Sequence, residues 1–360
     1  MAAASEDLAS FVEATCGGGA LRVEENLGAG YVRLRVAEAE RRQAKHDIRC
    51  IEDIVIEMLR NARDAGARHI YVASWREGDM RSLVMLDDGA GIPSTMHDKI
   101  FDARVTSKLE SVHVDRWGVH GRGMALFSVK ENVESARVLS SAPGKGAALK
   151  VVANASQLTE RADQSTWPVI AQDDEGNEAC VRGPHNIIRT CAEFALEERG
   201  TCEVYLGSAA EIVATAHARA PRPSSDTDLL FIDDLSELGV LTRLRMAGDA
   251  RELLEQALAL GLDMSERTAH RIISGQIKPL RSVAAQLCKA ASPQPHAEVD
   301  LLRARKGMKM SAEDKEAFAL EMEKAFSFVR ERYYVRLAAD PKVHVSANKI
   351  TVTFDMEDAD

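Results

Sequence analysis

Glu57 and Asn61 stand four residues apart in the run Glu57 to Ala67, EMLRNARDAGA. That spacing puts both side chains on one face of a helix. Ile51, Ile54, Val55, Met58, Leu59 and Ala62 supply the buried side. An ordinary surface helix carrying an i,i+4 polar pair gives the same pattern. A second run, Asp87 to Pro93 (DDGAGIP), follows an apolar stretch. Asp-Gly is turn chemistry. Gly89 and Gly91 also lack the Cβ that would keep the backbone from a flat ligand, and Asp87 can accept a hydrogen bond from an exocyclic amine. A third run, Gly118 to Val129 (GVHGRGMALFSV), leads glycines directly into a helix, where backbone N–H groups and the helix dipole suit phosphate. A dinucleotide fold would need this motif after its first strand, whereas here it follows a long polar segment.

The elements that must position these residues alternate between helix and strand. A hairpin is expected around Gly28 to Gly30, then helices over 37–47 and 51–65. Strands follow over 69–75 and 83–86, with a polar segment to about Trp117, a helix over 124–132 and a hairpin over 136–153. A helix over 187–197 and strands over 202–206 and 211–216 complete the domain. The Pro- and Ser-rich stretch 220–226 reads as a linker. Beyond it the pattern is helical over 237–290, broken at 292–295, and resumes as an amphipathic helix over 312–337 before a hairpin over 343–354. This alternation predicts an α+β protein.

With 360 residues the chain should hold two or three domains. A hydrophobic fraction of 45% and a charged fraction of 28% exclude a disordered or fibrous protein. The net charge of −10 excludes a general nucleic-acid binder, leaving room for a local basic element. Six scattered cysteines, none at CxxC spacing, argue against a zinc ribbon or disulfide framework and predict a cytoplasmic protein. No apolar run approaches the roughly 18 residues of a membrane span, and the opening lacks the pattern of a secretory signal, so no membrane partner is expected.

Taken in this order, the three motifs resemble the GHKL ATPase superfamily of gyrase B, heat-shock ATPase chaperones, histidine kinases and MutL. The resemblance covers about 51–153 and is nearest in wording to MutL. NARDAGA is similar to its first box, DDGAGIP to its second, Val105 to Lys108 to its lid, and Gly118 to Val129 to its last. It implies a two-layer α/β sandwich, the Bergerat fold, holding ATP between helices and a mixed sheet. Asn61 would ligate Mg²⁺ bridging the phosphates, and Glu57 would be the general base for the attacking water. Asp87 would read the adenine amine with Gly91 near the base. Thr106, Ser107 and Lys108 would belong to the lid, and Gly121, Gly123 and the following N–H groups would cradle phosphate. Asp64, Gly89, Gly118, Arg122 and Met124 complete the implied ATP-binding set. Ala147 departs from the family, many of whose members carry an adenine-binding threonine on this strand; Thr201 is a distant substitute. The transducer domain that follows the ATPase in MutL and gyrase also has no counterpart in the helical region 237–290.

That helical region has a pattern of its own. Gly261 can end one helix and Ser265 can cap the next, which carries Arg267, His270 and Arg271. Helix, turn and basic helix make a candidate helix-turn-helix, with 261–281 a candidate DNA surface, although a packed subdomain relaying ATP state fits the same residues. The expected domains are an ATP-binding domain over 1–220, a helical module over 227–292, and a helix with hairpin over 293–360. The functional expectation is a slow Mg-ATPase whose nucleotide state drives conformational change or homodimerisation coupled to a DNA- or protein-binding module. The alternatives are a histidine-kinase-like phosphotransferase, with His46 the candidate acceptor, and a non-hydrolysing ATP-gated binding module.

Overall fold

Ile70 to Ala73 is apolar at every position, so a strand there must be covered on both faces. The structure, a computed structural model, describes residues 23–107, 113–115, 117–120, 123–172, 178–221, 234–291, 311–333, 335–346 and 349–358. Its contacts divide the chain into two units, 1–292 and 293–360. Among the described residues, the first unit opens with β1 (Val23–Gly28), β2 (Tyr31–Leu34), α1 (Glu38–Asp47) and α2 (Ile51–Asp64). Next come β3 (His69–Glu77), β4 (Met80–Asp87), two short 3-10 turns, β5 (Val105–Thr106), β6 (His113–Asp115) and β7 (Gly118–His120). They are followed by α3 (Ala125–Glu131), β8 (Ser135–Ser141), β9 (Ala147–Asn154), β10 (Val169–Gln172), β11 (Glu178–Arg182), α4 (Ile187–Glu197) and β12 (Glu203–Gly207). Among the described residues, the helical stretch holds α5 (Ala209–Arg219), α6 (Val240–Met246), α7 (Ala250–Ala259), α8 (Glu266–Ile273) and α9 (Val283–Ala291).

The central sheet has the order β12-β3-β4-β9-β8, with β12 parallel to β3 and every other pair antiparallel. Strand alternation sends Ile70, Val72, Leu83, Met85 and Val151 to one face, where they share a core with α2 and α4. Tyr71, Ala73, Val84, Leu86 and Tyr205 go to the other, with Tyr71 and Tyr205 stacked at 4.8 Å. The first face is the expected α/β sandwich. The helical stretch covers the second: Ile212 of α5, Leu241 and Leu244 of α6, and Leu253 of α7 join that core, while Val283 and Leu287 of α9 join the first.

Three local expectations are corrected. Residues 211–216 are not a strand but lie inside α5, because Ser208 and Glu211 form a capping box: Glu211 Oε2 accepts from Ser208 N at 2.9 Å, and the Ser208 side chain accepts from Glu211 N. Gly118 does not open a helix; it sits in β7 opposite Asp115, and the helix starts at Ala125. In the second unit α10 (Ala312–Tyr333) stops four residues short of its expected end. Val335–Leu337 instead forms β13, which pairs with β16 (Met356–Asp358). The expected hairpin is β14 (Lys342–Ser346) with β15 (Lys349–Thr353), and Phe354 stacks on Phe326 of the helix at 5.2 Å.

The loop after β4 is clamped by glycines. Gly146 has φ 73°, and a Cβ there would lie 2.0 Å from the Asp87 carbonyl oxygen; one on Gly91 would lie 1.9 Å from that of Ala142. Backbone opposes backbone, so neither clash can be relieved by a side-chain turn. Gly146→Ala is expected to destabilise the protein by about 1–3 kcal/mol. Denaturant unfolding checks this, and a loss below about 0.5 kcal/mol would mean the hairpin yields.

Candidate functional site

The 3.6-residue period of α2 buries Ile54, Val55, Met58, Leu59 and Ala62, and turns Asn61 and Asp64 toward a cavity between this helix and the sheet. Asp87, at the end of β4, enters the same cavity and is only 4% exposed. Its Oδ1 accepts from Gly89 N at 2.8 Å, which fixes the carboxylate. Neighbouring Asp88 serves structure instead. It accepts from the N–H groups of Arg68 and His69 at 2.7 and 2.8 Å and pairs with the His69 ring at 2.6 Å. Burial alone would raise the Asp88 carboxyl, but the His69 ring and these N–H groups hold it below its ordinary range; the Asp88 bond in turn raises His69.

Gly91, Thr106 and Gly123 complete the lining expected from the sequence. Gly89 stays against the end of α2, where a Cβ would meet the Ala65 carbonyl oxygen at 2.9 Å. Glu57 and Met124 face a second, adjoining cavity, and Ala125 lines both. Lys108, Gly121 and Arg122 lie outside the described residues. Ala147 stands opposite Asp87 across the β4–β9 ladder and lines the cavity without a hydroxyl. Thr201 does not replace it, because it sits in the exposed turn before β12, on the far edge strand of the sheet. Tyr31, which no sequence signal singled out, lines the cavity from β2; burial pushes its phenol up, partly offset by a bond with Ser107.

A buried ion network ties α2 to the segment before the glycine-rich helix. Arg60, 3% exposed at its side chain, bonds Glu57 Oε1 at 2.8 Å and grips Asp115 with two bonds of 2.8 and 2.9 Å. Arg63 reaches Asp64, Asp115 and Glu198 at 2.9, 3.3 and 2.8 Å. Glu57 is thus held in position on the wall of the second cavity. The Asn61 amide nitrogen is buried with no hydrogen-bond partner among the described residues. Rotating this carboxamide exchanges its nitrogen and oxygen, so the residue can offer a carbonyl oxygen to a hard cation. The donor therefore fits magnesium.

Residues 46–157 match the family of histidine kinase-, DNA gyrase B- and HSP90-like ATPases. Over 81 residues the chain is 38% identical to the DNA mismatch repair protein MutL of Thermus thermophilus, and over 82 residues 38% identical to that of Thermus aquaticus. These stretches are 22% of this chain and only 14% and 15% of the relatives' lengths. A crystal structure of full-length ShkA in complex with AMPPNP is 14% identical, covering 78% of this chain and 64% of its own, with a TM-score of 0.21, too low to bear on the fold. The motifs, the sandwich and the family match together define an ATP-binding domain of the GHKL type. Among the described residues, no helix is long and apolar enough to cross a membrane.

Proposed function

We propose that this chain binds Mg-ATP between α2 and the sheet and hydrolyses it slowly with Glu57 as general base. The nucleotide state then sets the arrangement of the helical module, as a conformational change or a homodimer. The supporting observation is convergence: Asn61, Asp87, Gly91, Thr106 and Gly123, from separate stretches of sequence, line one cavity. Asp87, buried in its lining, reads the adenine amine. Asn61 holds Mg²⁺, which supplies neutralisation of the phosphate charge. Glu57, one helical turn along, orients the attacking water and takes its proton. Incubation with γ-labelled ATP tests this: released phosphate is expected, and a protein that binds no nucleotide ends the reading.

Phosphoryl transfer to protein is a second reading, favoured by one observation: His46 of α1 lines the same cavity as Glu57. In the same incubation it appears as label retained on the protein.

The module's partner is proposed to be DNA. α7 ends in a Schellman motif, with Leu262 N donating to Ala257 O and Gly261 N to Leu258 O, both at 2.9 Å. Ser265 caps α8 by accepting from Thr268 N. Ala269 and Ile272 face inward, which leaves Arg267, His270 and Arg271 exposed. Light scattering with a non-hydrolysable ATP analogue is expected to show a dimer that binds DNA more tightly. Arg267→Ala is expected to reduce the salt slope of that binding by about 1. A dimer indifferent to DNA would direct the search to a protein partner.

A further inference from the structure

Arg104 is held in a backbone conformation that few non-glycine residues adopt, with φ 62°. The surrounding chain fixes it there. Its N–H donates to Gly123 O at 2.9 Å and its carbonyl accepts from Leu34 N at 2.9 Å. Gly123 packs so closely that an added Cβ would lie 2.9 Å from Val105 O and 3.1 Å from the Arg104 carbonyl carbon. This bracing sends the guanidinium inward, where its side chain is 7% exposed. One nitrogen, Nη2, bonds Glu40 of α1, while Nε is buried without a partner among the described residues. Arg104 lines the cavity that holds Glu57 and Arg60. A buried donor left unpaired is costly, and strain of this kind persists where the fold over-determines it.

We infer that Arg104 is a ligand of the terminal phosphate, the group that makes the site tell ATP from ADP. The inference rests on the ATP-binding reading above. Asp87 marks the adenine end, Asn61 the metal, and Glu57 lies one turn further along α2. The Glu57 cavity adjoins the first across Ala125. It is therefore where a third phosphate arrives and a second does not. There Arg104 offers Nε to a phosphate oxygen, as a planar guanidinium does well. Glu40, 41% exposed at its side chain, holds the other side of the fork. The charge comes from within the ATPase domain itself, from the residue just before the strand that carries Thr106.

Calorimetry on the full chain, with ADP and a non-hydrolysable ATP analogue, tests this in Arg104→Gln, Arg104→Lys and Glu40→Gln. Arg104→Gln is expected to weaken the analogue by about ten- to hundredfold while ADP stays within about twofold. Arg104→Lys, which keeps the charge but not the fork, should fall between, and Glu40→Gln, which loosens the hold on the guanidinium, should weaken the analogue by less than Arg104→Gln does and leave ADP within about twofold. If the parent protein binds neither nucleotide, the ATP-binding reading fails first. If it binds both and Arg104→Gln keeps its preference for the analogue, the assignment of Arg104 is wrong. Equal weakening of both nucleotides in Arg104→Lys and Glu40→Gln would show a brace between α1 and β5 and overturn it as well. Arg104→Lys carries the test if Arg104→Gln does not fold.

Discussion

Asp87→Asn is expected to weaken nucleotide binding by about a hundredfold or more while leaving the protein folded. The native carboxylate accepts Gly89 N at 2.8 Å and is almost wholly buried. An asparagine keeps an oxygen for that internal bond, so the loop between β4 and the β8–β9 turn stays closed. Its other terminal atom becomes an NH₂ facing the cavity, donor against donor where adenine presents its amine. Loss of a charge-assisted bond alone is worth about 1.5–3 kcal/mol, or ten- to hundredfold, and the unmatched donors add to it. Calorimetry gives the affinity, and thermal unfolding without nucleotide gives the control. Unchanged affinity in a folded variant would place adenine elsewhere. Ala147 sharpens the expectation, because no side-chain hydroxyl stands opposite Asp87 on β9 to share the recognition.

What the sequence made legible was local, and what it concealed depended on distant contacts. The 3.6 period of 51–64 identified α2 and its polar face, since that pattern is fixed within four turns. The glycines of DDGAGIP marked the loop, but not why each is needed: Gly89 yields to Ala65 and Gly91 to Ala142 before any ligand is considered. The apolar run in β3 implied two covered faces, yet nothing local said that α5 to α7 would form the second cover. The stretch 211–216 misled because Ile212, Val213 and Thr215 are β-branched, and the cap at Ser208 decided otherwise. Arg104 and Tyr31 were invisible as site residues. One is aimed by an unusual backbone angle, the other by a hairpin packed through β5, and neither relation has a spacing that can be read along the chain.

Glu57→Ala separates binding from chemistry, and its expected effect on turnover is the largest of all. Positioned general-base catalysis contributes about 10²- to 10⁴-fold, so phosphate release should fall by that factor while nucleotide affinity stays within about threefold. The ion network makes the variant a clean one. Arg60 is buried and would be costly unpaired, but it keeps both bonds to Asp115 when Glu57 is removed. Asn61 and Asp87 line the first cavity and are untouched. Glu57→Gln preserves the shape and removes only the base, so the two variants should be equally slow; activity in the glutamine form alone would mean that position 57 merely fills space. Both should still dimerise on ATP if nucleotide occupancy, not hydrolysis, drives assembly, and they should hold the dimer longer than the parent because the signal is not erased. Turnover within about twofold of the parent in both would place water activation on another group. Label appearing on the protein in place of released phosphate, and lost on His46→Ala, would move the reaction from hydrolysis to phosphoryl transfer within the same cavity.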